Sequence, residues 1–323
     1  MKMTDERAVL VARPSRDDVA IEQSLIIPAL NEAFRLPAAL DALRRHVDHS
    51  TTEIIVVDDG SDDDTSDVAR RTADWAKHLI IVRNEVNQGK GASVRSGVAV
   101  ARGDAIGFID ADNATDLAAL APMRAALGAN VHAVFGSRHA PGSKVTGAPA
   151  IRGVMGRMFN QVVQAAAGTT ISDTQCGAKI FSGPAARMAF GTATVDGFAF
   201  DVEILRRLLG MGLGVVEYPV VWHYVEGTKV KVTTPLRMLR DIARIRARRA
   251  VPLPGHIDTT YRDDFALLTD PFVPPRLPAV GQPCRIVIPF SESPTAMQLS
   301  EITGQLKLSQ ATTWAALLGR NSS

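Results

Sequence analysis

The sequence contains little cysteine and no strong excess of charge of either sign. Cys176 and Cys284 are the only cysteines among its 323 residues, too few for a disulfide scaffold or a cysteine-rich metal site. The formal net charge of +2 is too small to indicate a nucleic-acid-binding protein. We therefore expect a protein of a reducing compartment, the cytoplasm, with no nucleic-acid partner.

Long apolar runs are also missing. The N-terminal residues mix acidic and apolar side chains and show no sustained apolar segment of the kind found in signal peptides. No stretch of about 18 apolar residues runs uninterrupted, so we expect no membrane-spanning helix. Any contact with a membrane would then be peripheral, at the inner face.

Apolar runs are nevertheless frequent, and they alternate with amphipathic segments. SLIIPAL, EIIVVDDG, LIIVRN and AIGFIDAD have the character of strands, and the segments between them have helical periodicity. This order predicts βαβ units and an α/β fold around a central, mainly parallel sheet. Strands in such a sheet are buried on both faces, which accounts for their continuous apolar character.

Polar loops follow the predicted strands or join them to helices. Four such loops have the sequences PALNE, DDGSDDDT, NQGKG and DADNAT. The carboxyl ends of parallel strands meet at one edge of a sheet, and α/β proteins bind ligands there. We therefore expect the four loops to form a single site.

Asp110 and Asp112 end the predicted strand AIGFI at a spacing of one residue. Two carboxylates fixed in this way suit a hard cation such as magnesium or manganese, which could also bridge a diphosphate. An isolated pair of this kind also fits a solvated turn, so the motif alone leaves both interpretations open. The surrounding residues do not fit a calcium loop, and NQGKGAS does not fit a P-loop.

Taken together, the motifs resemble one enzyme family. The segments PALNEA, VVDDGSDDDT, NQGKGASVRSG, IDADNAT, FGSR, ISDTQCGAKIF and GFAFDVEIL occur in this order. The chain is similar to the family-2 glycosyltransferases of the dolichyl-phosphate glucosyltransferase type, with DADNAT closer to DADGAT of the glucosyl members than to DADLQ of the mannosyl members. The resemblance implies a nucleotide-diphosphosugar transferase (GT-A-like) fold with one donor site.

The resemblance also implies how the chain is divided. Residues 1–23 would form an N-terminal arm, residues 24–250 the catalytic domain, and residues 251–323 a Pro-rich C-terminal extension without an assigned role. Within the extension, CRIVIPF predicts an edge strand, and SPTAMQLSEITGQLKL predicts a short helix.

Roles on the donor side follow residue by residue from the resemblance. The residues implied to contact the nucleotide sugar are Pro28, Asn31, Glu32, Asp58, Asp59, Lys90, Asp110 and Asp112. Asp58 and Asp59 would contact the base and the ribose, and Asp112, with Asp110, would hold the divalent metal. Asp201 would lie near the reacting carbon as a base or an orienting group. Cys176 belongs to a motif in which it packs rather than reacts.

Roles on the acceptor side rest on basic residues. The residues implied to contact an acceptor phosphate are Arg138, Arg152, Arg157, Lys229 and Lys231. Guanidinium geometry suits a phosphate, which favours Arg138 in particular. Farther along, Arg237, Arg240, Arg244 and Arg248 form a stripe at helical spacing. That stripe fits either peripheral contact with an anionic membrane or a solvated helix face.

Three functions remain open at this point. The first is an inverting, metal-dependent transfer of glucose from UDP-glucose to a polyprenyl phosphate, dolichyl or undecaprenyl. The second keeps the same donor chemistry but uses a soluble hydroxyl acceptor, such as a secondary metabolite. The third is a non-catalytic, sugar-nucleotide-binding regulatory protein. The sequence does not determine the oligomeric state.

Overall fold

A nine-stranded sheet forms the centre of the structure, a computed structural model that describes residues 9–12, 20–147, 164, 171–225, 234–247 and 285–287. The strands are β1 (Val9–Ala12), β2 (Gln23–Ala29), β3 (Thr52–Asp58), β4 (His78–Arg83), β5 (Ala105–Ile109), β6 (Ala133–Ser137), β7 (Lys144–Thr146), β8 (Ala178–Ser182), β9 (Val215–Pro219), β10 (Val221–His223) and β11 (Arg285–Val287). The α-helices are α1 (Leu36–Arg44), α2 (Thr65–Thr72), α3 (Lys90–Val100), α4 (Leu120–Ala125), α5 (Gly183–Gly191), α6 (Phe200–Gly210) and α7 (Thr234–Ala247).

The sheet is mixed but mainly parallel, as the sequence predicts. Its strand order is β1-β4-β3-β2-β5-β8-β6-β9-β11. Strands β2 to β5 run parallel, and β8 lies antiparallel between β5 and β6. The carboxyl ends of β2, β3, β5 and β6 therefore reach the same edge, together with the amino end of β8. A separate two-stranded ribbon pairs β7 with β10.

Helices cover both faces of the sheet because successive strand residues point to opposite sides. Along β2, Leu25 and Ile27 join a core cluster under α1, α2 and α4. Ile26, between them, joins a second cluster under α3, α5 and α6. This packing on two faces is why the strands are largely apolar along their length.

Both edges of the sheet are supplied by segments outside residues 24–250. β1 pairs antiparallel with β4, and β11 pairs antiparallel with β9. The edge strand predicted in CRIVIPF is thus confirmed, whereas β1 is an addition that the sequence analysis did not predict. The helix predicted in SPTAMQLSEITGQLKL lies outside the described residues.

Helix α7 uses its apolar side within the fold. Met238, Ile242 and Ile245 pack against Ala199 and Val202 at the start of α6. On the opposite side of α7, Arg237, Arg240 and Arg244 of the basic stripe are exposed, and Arg248 lies outside the described residues. Among the described helices, none is both long enough and apolar enough to cross a bilayer.

The contact of α3 with β2 provides a test of this packing. A Cβ at Gly97 would lie 2.5 Å from Cγ2 of Ile26, which is fully buried. We expect Gly97→Ala to destabilise the protein by about 1 to 3 kcal/mol, because overpacking a core forces side chains and backbone to shift. Urea unfolding of the two proteins measures the difference.

Gly210→Ala is the matched control. Gly210 ends α6, and a Cβ there has no neighbour within 4 Å. Only helix propensity then acts, and we expect stabilisation of up to about 1 kcal/mol. Equal urea midpoints for the two variants would contradict the close approach of α3 to β2.

Candidate active site

The loops after β2 and β3 meet at the carboxyl edge of the sheet. The backbone N–H of Asn31 donates to Ser61 Oγ at 2.9 Å, and Asn31 Oδ1 accepts from the N–H of Asp62 at 2.7 Å. The N–H of Glu32 donates to Thr65 Oγ1 at 2.8 Å. Asn31 has a φ of 52°, a left-handed conformation that asparagine tolerates better than most residues. The predicted first loop is therefore tied to the DDGS loop.

Asp58 serves here as a positioning residue. Its side chain is fully buried, accepts hydrogen bonds from Ser66 Oγ and, at 2.9 Å, from the N–H of Ser61, and pairs with Arg83 at 3.0 Å. Protein donors thus surround the carboxylate, and no exposed surface remains for a base or a ribose. The contact of Asp58 with the nucleotide, implied by the resemblance, stays a prediction.

Asp59 organises the NQGKG loop. Its carboxylate accepts from Asn84 Nδ2 at 2.7 Å and from the N–H groups of Gln88 at 2.9 Å and Gly89 at 2.8 Å. These contacts hold the turn that immediately precedes α3. The position of Lys90, the first residue of α3, therefore depends on Asp59.

Pro28, another residue predicted on the donor side, is partly buried near the end of β2.

Lys90 and Asp110 form an ion pair at the centre of the edge. Their Nζ and Oδ1 atoms are 2.5 Å apart. Burial alone would lower the pKa of Lys90, but the carboxylates of Asp110 and Asp201 outweigh it and raise that pKa. A Cβ at Gly177 would lie 2.3 Å from Asp110 Oδ2, so a side chain there would displace the carboxylate. The backbone N–H of Asp110 also donates to the Gly177 carbonyl at 2.9 Å.

Asp112 has no ion pair among the described residues. Oδ1 accepts the N–H of Ala114 at 3.0 Å, and burial, with the charge of Asp110, raises the pKa of Asp112. Arg35 acts on Asp112 from a distance, but its guanidinium is held by both carboxylate oxygens of Glu32 at 2.7 Å. A cation beside Asp112 would relieve this uncompensated charge.

This environment fits a divalent metal shared with a substrate. Within the described residues, no group of three His, Cys, Asp or Glu side chains converges. Magnesium typically binds through one or two carboxylates together with waters and substrate phosphates. Asp112, with Asp110 beside it, matches that limited protein contribution.

Arg138 is locked to a buried carboxylate. Its Nε and Nη2 donate to Asp173 Oδ2 and Oδ1 at 2.7 and 2.9 Å, and its backbone N–H donates to Oδ2 at 3.0 Å. Asp173 is fully buried, whereas the Arg138 side chain keeps 26% of its surface exposed. Burial alone would raise the pKa of Asp173, but the guanidinium reverses that effect and lowers it to about 2. Only Nη1 of Arg138 has no hydrogen-bond partner in the described part of the chain.

Two acidic residues at the start of α6 have different environments. Asp201 lies 2.9 Å from Nζ of the buried Lys179, and burial raises the pKa of Asp201 against the opposing effect of that lysine. Glu203 accepts from the N–H groups of Thr194 and Val195 and pairs with Arg207. Glu203 is therefore a structural cap, and Asp201 is the acidic residue that lies near Lys90 and Asp110.

The β7–β10 ribbon joins the DADNAT segment to the Arg138 side. The N–H of Asp116 donates to the Val221 carbonyl at 2.9 Å, and the N–H of His223 donates to the Ala114 carbonyl at 2.8 Å. Trp222 lies between Val221 and His223 in the sequence, and the centroid of its ring is 5.5 Å from Cζ of Arg138. An aromatic side chain is thereby placed between the two halves of the candidate site.

Four predicted acceptor residues, Arg152, Arg157, Lys229 and Lys231, lie outside the described residues. The structure adds Lys179, Arg35 and Trp222, which sequence reasoning had not assigned. For Lys179, the available signal was a lysine within the otherwise apolar strand AKIFS. Cys176 is buried, and burial raises the pKa of its thiol to about 11, which agrees with a packing role.

Comparison with known proteins identifies the family. The model described as Glycosyl transferase family 2 matches residues 24–186. The dolichyl-phosphate beta-glucosyltransferase of Drosophila melanogaster is 34% identical over 265 residues, covering 75% of this chain and 79% of that protein. This chain belongs to glycosyl transferase family 2. The human protein with the same name as the fly relative is 32% identical over 252 residues, covering 72% and 77%.

Solved structures agree with this transferase family at the level of the fold. A glucosyl-3-phosphoglycerate synthase from Mycobacterium tuberculosis, in complex with Mn²⁺, UDP-glucose and phosphoglyceric acid, has a TM-score of 0.52 at 17% identity and covers 70% of this chain and 78% of that one. The mannosyltransferase PcManGT from Pyrobaculum calidifontis, with GDP-Man and Mn²⁺, has a TM-score of 0.50 at 19% identity, covering 71% and 70%. The predicted GT-A-like fold is confirmed.

The Arg138–Asp173 pair predicts how the stability of the transferase changes with pH. The folded-state pKa of Asp173, about 2, lies below the unfolded value of about 3.9. The pair therefore stabilises the fold fully above about pH 4, and this contribution is lost as pH falls toward about 2. We expect Asp173→Asn to cost about 2 to 3 kcal/mol at pH 7 and progressively less below pH 4.

Urea unfolding of both proteins at pH 7, 5, 4 and 3 measures this difference. Asp67→Asn is the control, since Asp67 forms an exposed pair with Arg70 and exposed pairs contribute little. A cost at Asp173 that stays constant down to pH 3 would contradict the ion pair.

Proposed function

We propose that this transferase moves glucose from UDP-glucose to a polyprenyl phosphate, with inversion at the anomeric carbon. The observation that carries the proposal is the Asp112 carboxylate, which lies beside the Lys90–Asp110 pair without a counter-ion among the described residues. The names of the dolichyl-phosphate beta-glucosyltransferase relatives support the sugar and the acceptor.

On the donor side, the diphosphate would lie between Asp112 and Lys90. Asp112, with Asp110, would hold a magnesium or manganese ion, which when bound would neutralise charge on the departing diphosphate. Lys90 supplies a fixed positive charge at the same place. Pro28, Asn31 and Glu32 border the nucleoside side, with their loop fixed by the DDGS turn.

The transfer would be one displacement. An oxygen of the acceptor phosphate forms a bond to the anomeric carbon while the carbon–oxygen bond to UDP breaks and its electron pair leaves with UDP. A phosphate monoester has a second pKa of about 6, so the acceptor is largely dianionic at neutral pH. Asp201 would then orient the reacting groups and accept the residual proton of a monoanionic acceptor.

On the acceptor side, Arg138 would bind the phosphate through Nη1. Nε and Nη2 of Arg138 both donate to Asp173, and these two bonds fix the direction of Nη1. The Trp222 ring beside the guanidinium gives this side an apolar surface for the first carbons of the lipid. The bidentate ion pair with Asp173 would therefore orient Arg138 toward the acceptor phosphate as well as stabilise the fold.

Asp112→Asn tests the donor side. We expect at least about a hundred-fold lower kcat and loss of the manganese dependence of UDP binding, because the neutral amide is a much weaker metal ligand. Calorimetric titration of UDP with and without manganese, together with a turnover assay, measures both effects.

Asp116→Asn is the matched control for that variant. Asp116 lies in the same segment, is exposed, and caps the following 3-10 helix through its side chain, which asparagine can also do. We expect its activity and metal dependence to stay near those of the wild type. Metal-dependent UDP binding that persists in Asp112→Asn would refute the metal assignment.

Arg138→Lys tests the acceptor side and keeps a positive charge for Asp173. We expect the apparent KM for polyprenyl phosphate to rise about ten- to a hundred-fold, because one charge-assisted contact is worth about 1.5 to 3 kcal/mol. The KM for UDP-glucose should change by less than about threefold, since that contact does not involve the donor.

Arg102→Lys controls for disturbing a buried ion pair. Arg102 pairs with the fully buried Glu53 at 2.7 Å, near the amino end of β3 and far from the loops of the site. We expect neither KM to change in this variant. An acceptor KM that is the same in Arg138→Lys and the wild type would oppose the phosphate contact.

A matrix of UDP- and GDP-sugars against polyprenyl phosphate, soluble alcohols and a detergent blank decides between the three functions. Transfer of glucose to the lipid phosphate supports the proposal. Transfer to alcohols alone would favour the soluble-acceptor function, and tight UDP-glucose binding without any transfer would favour the regulatory one.

A further inference from the structure

Lys179 is a lysine in the middle of an apolar strand. It lies in β8, and its side chain is 1% exposed. Its Nζ atom lies 5.0 Å from the ring centroids of both Phe108 and Phe135, which belong to the neighbouring strands β5 and β6. A lysine is almost never fully buried unless it is paired, so this position demands a partner.

Asp201 is that partner. Lys179 Nζ donates to the Cys176 carbonyl at 2.7 Å and lies 2.9 Å from Asp201 Oδ1. At this distance the ammonium of Lys179 and the carboxylate of Asp201 form a buried ion pair. Asp201 is itself only 5% exposed. One of its carboxylate oxygens, Oδ1, thus faces the lysine.

Other charged groups around Asp201 are already committed. The strongest are Lys179 from β8, Lys90 from α3 and Asp110 at the end of β5. Helix α7 contacts the start of α6 with apolar side chains such as Met238. Burial has the largest effect on the pKa of Asp201 and raises it, while the two lysines oppose that rise. Lys90 is held by Asp110 at 2.5 Å, so Lys179 is the cation dedicated to Asp201.

We propose that Lys179 is a positioning residue for the transfer, holding Asp201 charged and oriented from beneath the site through their buried ion pair. The role rests on the proposed function of Asp201. Lys179 does not contact the substrate, since its ammonium is enclosed by the two rings, the Cys176 carbonyl and the carboxylate.

The test is a double-mutant cycle of Lys179→Met and Asp201→Asn, with Lys77→Met as the control at an exposed lysine. We expect Lys179→Met to lower kcat about ten- to a hundred-fold and to leave the UDP-glucose KM within about threefold. Removing a cation raises the pKa of a carboxyl, so the acid limb of the pH–rate profile should move up by about one unit or more.

The double variant separates action through Asp201 from independent damage. If Lys179 acts through Asp201, the double variant should be no slower than the slower single variant. Reductions in kcat that multiply in the double variant, or an acid limb that stays in place in Lys179→Met, would overturn the proposal.

If Lys179→Met fails to fold, Lys179→Arg is the second test, because it keeps the charge and alters the geometry. A reduced kcat with the acid limb unmoved supports positioning, and an unchanged kcat refutes it.

A readout without turnover keeps this proposal separate from the proposed function. The ¹³C resonance of the Asp201 carboxyl can be assigned as the signal missing from Asp201→Asn and titrated in the wild type and in Lys179→Met. A higher pKa in the variant supports the pairing even if no acceptor is glycosylated. Equal titration midpoints would overturn it even if the transfer reaction is established.

Discussion

The Lys90–Asp110 ion pair is the contact on which the geometry of the site depends. It joins the first residue of α3 to the end of β5, at a separation of 2.5 Å. Asp59 must hold the turn before α3, and position 177 must lack a side chain, for the two groups to meet. The pair gives Asp110 a positive partner, whereas Asp112 has no ion pair among the described residues.

The sheet and its polar edge were predictable because their signals are local. Apolar runs, turn residues and strand-ending acids are read within about ten residues of each other, and parallel strands then bring the loops together. The partners of Asp58 and Asp173 were not predictable, since Arg83 and Arg138 lie 25 and 35 residues away in the sequence. Which donors surround a carboxylate depends on the completed sheet, so the sequence predicted acids at the strand ends but not the protein partners that hold Asp58 and Asp173.

Buried carboxylates paired with arginine occur at both ends of the sheet. Glu53 accepts from Ser24 Oγ and Arg102 near the amino edge, and Asp173 accepts from Arg138 at the carboxyl edge. Each arginine is partly exposed, which limits the cost of removing the two charges from water. Arg138 donates two side-chain hydrogen bonds to Asp173, whereas Arg102 donates one to Glu53 and is more exposed.

The edge strands β1 and β11 are synthesised at different times, so the two edges of the sheet are covered in a fixed order. During synthesis, β1 already exists when β4 emerges, so that edge can close early. The open side of β9 must wait for residues 285–287, which are made about seventy residues later. An uncovered strand edge is a template for pairing with other chains. Until residues 285–287 have been made, the open side of β9 therefore leaves the nascent chain exposed to such pairing.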